Sequence, residues 1–567
     1  MPSVVCYEGN EVIFGRQARE RLDKPGLGVQ GNVVRSPKME LRRQAIHVGG
    51  VERSTVDIVR DVVANLRRQA QQSPVLDGAE VDLAVVTIPV NVDGLYRARL
   101  RDACRAAGIG IVRFVHEPLA ALYGSLRQTP DWQAAIREFE GKLLLVFDWG
   151  GGTLDLTLCR LQNGVLLQVG NDGTDEVGGD VFDDELRKAI EQKFRREHAV
   201  PDDTPIQPDA RTLLMHRCER AKIDLSSASQ VKIYVPNFFL GLPDPDLVLD
   251  LTRDDLLKIV QPLISKGLQR IESLVEREGY SRTAVSVCLA TGGMTGMPEI
   301  QSRLREYFGS ERVRTSDFDR SASLVSVGAA WIAHDEAKLR LAKNVELRLA
   351  RNSLFPLLYA GQPLPEREQT SKQDFTFYCV DPTDGHAKFE LVSPDRPGMD
   401  VVRGDPRHNL AYLVVDVDAH ALPFQERLWL HLVLDDNLIL TVQAKASNGS
   451  AGQVVSVHEL EFALAFPPSD IQDHKIASQP GDHVSPDIDH KDGAVIARSN
   501  LADLVDWGMV PGEVVRRKDP QRLDLRRDPP QIQIDEDLYY QPCAICGRPS
   551  NHPDCHCASG EPRTGAA

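Results

Sequence analysis

Nine residues, F-D-W-G-G-G-T-L-D from Phe147 to Asp155, have the types and spacing to hold an anion beside a divalent cation. Gly150, Gly151 and Gly152 lack a Cβ, so backbone N–H groups can come close to a phosphate. Thr153 adds a hydroxyl. Asp148 and Asp155 flank the loop with carboxylates of the kind that hold a hydrated Mg2+. Taken alone, such a loop also serves as a tight strand-to-strand turn. A second cluster stands near the end of the chain, where Cys543, Cys546, Cys555 and Cys557 read C-A-I-C-x8-C-H-C. Four thiolates with a C-x-x-C knuckle suit tetrahedral Zn2+ in a closed structural site, with His552 and His556 as substitute ligands. The C-x-C half is tighter than a usual knuckle, and a free-thiol or redox tail is the plainer alternative.

Elements must present these groups. Val81 to Val90 (V-D-L-A-V-V-T-I-P-V) is a mostly apolar run that predicts a buried strand. Asp93 can cap a helix running on to Gly108. Leu143 to Asp148 predicts the buried strand that delivers Asp148 to its end. Thr252, with Asp255 three residues on, predicts a capping box at the start of a long helix with apolar positions Leu256, Val260, Ile264 and Ile271. Val285 to Ala290 predicts a third buried strand, followed by Thr-Gly-Gly. This alternation over residues 1–335 implies an α/β unit. From 345 to 466 the pattern changes to short alternating runs such as F-T-F-Y-C-V and L-W-L-H-L-V-L, separated by turn signals, which predicts a β-sandwich. Residues 467–537 turn to Pro, Asp, His and Arg without a period and predict a linker. Residues 538–567 hold the cysteine tail.

Composition bounds the rest. The chain has 567 residues, enough for three or four units at roughly 100–200 residues each. Its net charge of -16 gives no general attraction to nucleic acid or to anionic membrane surfaces. The longest apolar runs, such as Leu143 to Phe147, are far too short to span a bilayer. The opening M-P-S-V-V-C-Y-E-G-N has no basic or apolar leader pattern. Six of the ten cysteines are scattered singly, which suits a reducing cytoplasm rather than a disulfide framework.

Four further segments accompany the loop in one order: V-H-E-P-L-A-A-L-Y-G with Glu117, V-G-G-D-V-F-D with Gly178 and Gly179, C-E-R-A-K-I-D-L-S-S with Glu219, Lys222 and Ser226, and L-A-T-G-G-M-T-G-M-P with Gly292 and Gly293. Together the five resemble the nucleotide-binding domain of the seventy-kilodalton heat-shock (DnaK-type) chaperones, over residues 2 to about 334. The resemblance implies an actin-like (ribonuclease-H-type) two-lobed ATPase fold with ATP and Mg2+ as ligands. By it, Gly150 to Thr153 cradle the β- and γ-phosphates, and Asp148 positions hydrated Mg2+ with Glu117 acting through water. Lys38, in R-S-P-K-M-E-L, matches the lysine that orients the attacking water, although a solvated surface lysine remains the plainer reading. Gly178, Gly179, Gly292 and Gly293 approach the sugar and α-phosphate, and Glu219, Lys222 and Ser226 contact ribose and adenine.

Leu354 to Val380 and Leu434 to Lys445 resemble parts of the same family's peptide-binding sandwich. The implied function is an ATP-dependent chaperone that captures and releases unfolded or extended polypeptide, with J-domain and nucleotide-exchange co-chaperones as partners. Its setting is the cytoplasm, with no nucleic acid or membrane. Four departures matter. The family's first strand and its D-L-G-T-T-N loop have no counterpart, so either the start is misplaced or the chain is a non-hydrolysing, nucleotide-sensing binding module. Gly296 stands where a base-stacking arginine is usual, Met294 replaces a small polar residue, and Ala322 replaces a common aspartate. The join H-D-E-A-K-L-R-L-A-K-N-V-E-L is more charged than the family's leucine-rich linker. No lid-length amphipathic helix follows the sandwich. A small-molecule kinase on the same superfold fits less well, because it has no use for a sandwich.

Overall fold

Helix starts follow the caps that the sequence predicts. Asp93 accepts from the Tyr96 N–H at 2.8 Å and opens the helix Gly94–Ala106. Thr252 and Asp255 form a complete capping box at the head of Arg253–Arg277. Each satisfies amides that a helix start leaves unpaired. The computed structural model describes residues 3–467 except 24–30, 77–78, 316–317, 350–352, 398–405 and 448–451. Beyond 467 it describes only the short strands His490–Lys491, Ala494–Val495 and Met509–Pro511.

The chain divides into two compact units. The first comprises Met1–Arg127, Leu144–Leu158 and Asn171–Ala333. Its main sheet orders the strands Val313–Thr315, Val285–Thr291, Leu143–Trp149, Leu154–Gln162 and Val165–Thr174. Leu143–Trp149 is buried at every position, as its unbroken apolar run requires. The helices Gly179–Glu197, Pro208–Asp224 and Arg253–Arg277 belong to the same unit. Two smaller sheets lie nearer the N-terminus. One is antiparallel, in the order Glu11–Phe14, Val4–Glu8, Val33–Arg35. The other pairs Leu83–Ile88 with Gly110–His116 in parallel. The buried strand predicted over 81–90 is therefore shorter and only half-buried, with Leu83 46% exposed. Among the described residues it hydrogen-bonds to a neighbouring strand on one side only.

The second unit comprises Gln128–Leu143, Cys159–Gly170 and the chain from His334. Its sandwich has one sheet ordered Leu354–Leu358, Val345–Arg348, His386–Pro394, Arg407–Asp416. The facing sheet is ordered Gln453–Val457, Leu440–Ala446, Arg427–Asp435, Thr370–Cys379, Met509–Pro511. Phe355 and Phe389 of the first sheet meet Phe375 and Phe377 of the second through edge-on ring contacts. Phe462–Ala465 departs from the boundary predicted at 466. It pairs with neither sandwich sheet, lying instead between Val165–Leu167 and Leu339–Leu341, antiparallel to both. The reason is visible in its contacts. Phe462 N–H donates to the buried Gln168 side chain at 2.9 Å, Phe466 N–H donates to Gly164 O at 2.9 Å, and the Phe466 ring stacks on Trp132. The segment Leu339–Leu341, charged at its flanks, is thus a sheet strand rather than a free linker.

Candidate functional site

The phosphate-type loop leaves the end of the buried strand Leu143–Trp149. Trp149 fixes that exit. Its ring is fully buried, its indole N–H donates to Val177 O at 2.7 Å, and it stands edge-on to Phe147 and Phe182. The loop then closes on itself, Gly150 N–H donating to Thr153 O at 2.9 Å. The start of the helix Gly179–Glu197 holds it from the other side. Gly179 N–H donates to Gly150 O at 3.2 Å, and Asp180 N–H to Gly151 O at 2.7 Å.

Glycine is required where these backbones meet. A Cβ on Gly178 would lie 2.4 Å from Gly152 O. A Cβ on Gly292, whose φ is +86°, would lie 2.4 Å from Trp149 O and 2.6 Å from an Asp148 carboxylate oxygen. Gly151 opens on free space. Gly178 and Gly179 therefore pack directly against the loop. Gly293 is exposed in the turn Gly293–Gly296.

The charged groups expected to act together are together. Lys38, on the short helix Pro37–Glu40, pairs with Glu117 and donates to Thr87 O at 3.2 Å. Glu117 opens the helix Glu117–Arg127. Thr153 donates its hydroxyl to Asp155 at 2.7 Å, and Val90 N–H donates to the other Asp155 oxygen at 3.1 Å. Asp148 and Asp155 are both buried. Burial first, then the charges of Glu117 and Asp155, push the Asp148 carboxyl well above the usual carboxylate range. Burial and the Glu117 charge push Asp155 up to about 7. Burial would lower the Lys38 ammonium, but Glu117 outweighs it and holds the lysine above its ordinary value, so it stays charged. Mutual repulsion in a low-dielectric setting is what a cation would relieve. Among the described residues no three acidic, histidine or cysteine side chains close on a point tightly enough to ligate an ion directly.

Glu219, Lys222 and Ser226 also gather near the loop, but each is engaged within the protein. Lys222 bonds to Asp183 and to Gly179 O, both at 2.8 Å. Ser226 donates to Lys222 O at 3.3 Å. Glu219 binds Arg19 at 2.6 Å and Arg35 at 3.1 Å. Burial alone would raise the Glu219 carboxyl, but His216 at 3.7 Å and the two guanidinium charges pull it down to about 2. Burial lifts Asp183 to about 6 despite Lys222. Arg35 also reaches Asp180 at 3.1 Å. Arg19, Arg35 and Asp183 belong to this site and were missed in the sequence, where nothing in their spacing marks them. Met294 is buried, its sulfur 2.8 Å from where a Cβ on Gly179 would stand. Cys543, Cys546, Cys555 and Cys557 lie outside the described residues.

Comparison with known proteins agrees with the resemblance. A family model described as Hsp70 protein matches residues 13–338, more than half of the chain. The chaperone protein DnaK of Mycoplasmopsis synoviae (strain 53) is 26% identical over 330 residues, which are 58% of this chain and 52% of that protein. The chain thus spans about half the length of this curated relative. The α/β unit with mixed sheets is what the matched ATPase domain implies, an actin-like two-lobed fold. The chain belongs to the Hsp70 family.

Proposed function

We propose that this chain binds Mg·ATP at Gly150 to Thr153, hydrolyses it, and uses that cycle to capture and release extended polypeptide. The observation that carries the reading is the convergence of Lys38, Glu117, Asp148, Thr153 and Asp155 beside an open glycine loop. Phosphoryl transfer needs positioning and charge stabilisation more than covalent chemistry from the protein. Backbone groups of the loop bind the phosphates, and the open face at Gly151 leaves room for them. Asp148 and Asp155, with Glu117 through water, would hold hydrated Mg2+. When bound, that ion offsets negative charge on the phosphate oxygens. Glu117 and its lysine partner orient the attacking water. The sandwich strands within residues 345–466 are the polypeptide-binding element in this reading, through main-chain hydrogen bonds to an extended segment. J-domain and nucleotide-exchange proteins are the co-chaperones the family suggests. The six single cysteines are free and buried, which suits the reducing cytoplasm.

One observation favours a second reading, a nucleotide-sensing module without turnover. Among the described residues the strand Leu83–Ile88 is paired on one side only, and the side chains expected at ribose and adenine are engaged within the protein. Single-turnover hydrolysis of Mg·ATP by the chain and by Asp148→Asn separates the two. Hydrolysis that falls at least about a hundredfold in the variant supports turnover at this site. Equal rates sink the assignment, and no hydrolysis in the wild type leaves the sensing reading.

A further inference from the structure

Tyr96 stands in the first turn of the helix Gly94–Ala106 and is 2% exposed. Its hydroxyl is buried and makes no hydrogen bond to any other described residue. A buried hydroxyl left unpaired destabilises a fold, and in a native structure it calls for a reason. Its surroundings supply one. The chain just before Tyr96 runs against the phosphate loop, since Val90 N–H binds Asp155 and Thr87 O accepts from Lys38. Asp93 then pins the first helical turn through the Tyr96 N–H. The hydroxyl lies within electrostatic reach of Lys38, Glu117 and Asp155, and Lys38 responds to it in turn. Burial lifts the phenol to about 12, with Lys38 and Arg42 opposing the rise and the Glu117 and Asp155 carboxylates adding to it, so it keeps its proton near neutrality. A phenol offers one donor and an acceptor oxygen.

We propose that Tyr96 is a further positioning residue of this site, whose hydroxyl completes its hydrogen bonding with the water that Lys38 and Glu117 hold for attack on the terminal phosphate. The hydroxyl accepts one O–H of that water and leaves a lone pair turned to phosphorus. In the step itself the water oxygen bonds to the terminal phosphorus. The bond to the bridging oxygen breaks, its electron pair leaves on ADP, and the water proton departs with inorganic phosphate or to solvent. The proposal rests on the hydrolytic reading above, and it gives a reason for a buried hydroxyl that no described residue pairs.

Tyr96→Phe deletes that hydroxyl and little else. In the full chain two changes of opposite sense are expected. The thermal midpoint without nucleotide rises by about 2 °C or more, because an unsatisfied buried group is gone. Single-turnover hydrolysis of Mg·ATP falls about ten- to a hundredfold, while the Kd for Mg·ATP stays within about twofold. A purely structural hydroxyl would give a lower midpoint and an unchanged rate. An unchanged rate, whatever the midpoint, overturns the role of Tyr96 while leaving the hydrolytic reading intact. No hydrolysis in the wild type overturns both.

Discussion

Carboxyl groups on either side of the phosphate loop are held in opposite states, and the cause in each case is the company they keep. Asp148 and Asp155 are buried with another carboxylate and shift upward, whereas Glu219 sits between two guanidinium groups and shifts down to about 2. A carboxyl whose folded pKa is depressed stabilises the fold above its unfolded value. That contribution is lost as pH falls through the folded one. For Glu219 the window runs from 4.5 down to about 2. Its side chain is 18% exposed, so screening is limited, and the contribution is on the order of 3 kcal/mol at most. Asp183, raised to about 6, works in the opposite sense, its share declining as pH rises from 3.8 toward 6. Glu219→Gln is therefore expected to lower stability at pH 7 and to flatten its acid limb, as read by urea denaturation from pH 6 to pH 3. A variant with the wild-type acid slope would contradict the assignment. Little of this network was legible in the sequence. Asp148, Thr153 and Glu117 could be read because each sits in a short motif. Arg19 and Glu219 meet across 200 positions, and no local pattern encodes such a pair.

The loop's rigidity comes from the elements around it. Gly267 lies inside the long helix Arg253–Arg277, where glycine costs about 1 kcal/mol relative to alanine. Its reason is Trp149, whose indole would come within 2.5 Å of a Cβ there. Overpacking a buried aromatic costs about 1–3 kcal/mol, which outweighs the helix gain. Gly267→Ala is expected to destabilise the protein by about 1–2 kcal/mol in denaturant unfolding. In a Trp149→Leu background the same change is expected to become neutral or stabilising; equal losses in both backgrounds would show that the ring is not the cause. The strands and caps were legible because period, Thr252–Asp255 and Asp93 are local signals. Phe462–Ala465 was not, since four apolar residues do not say which sheet they join. Leu83–Ile88 misled for a related reason: its apolar run reads as a central strand, while its one-sided pairing is a property of topology.

At the scale of the whole molecule, the proposed nucleotide site is the glycine loop, and the departures touch how a base would be read there. Gly296 offers no side chain for a base, and the side chains expected at ribose and adenine are tied to Arg19, Arg35 and Asp183. On the phosphate side, Lys38, Glu117, Thr153 and Asp155 stay linked to one another or to the loop. No described helix is long and apolar enough to cross a membrane. The sandwich and the strand Phe462–Ala465 share one compact unit with the hairpin segment Cys159–Gly170, whose strands lead out of the phosphate loop. The central claim is that this loop and Asp148 form the Mg·ATP site. Calorimetric titration of Mg·ATP into the full chain and into Asp148→Asn tests it most directly. Saturable binding at one site per chain is expected, weakened at least about tenfold in the variant, a difference of about 1.4 kcal/mol. Equal affinity in the two proteins, or no saturable binding to the wild type, would contradict it.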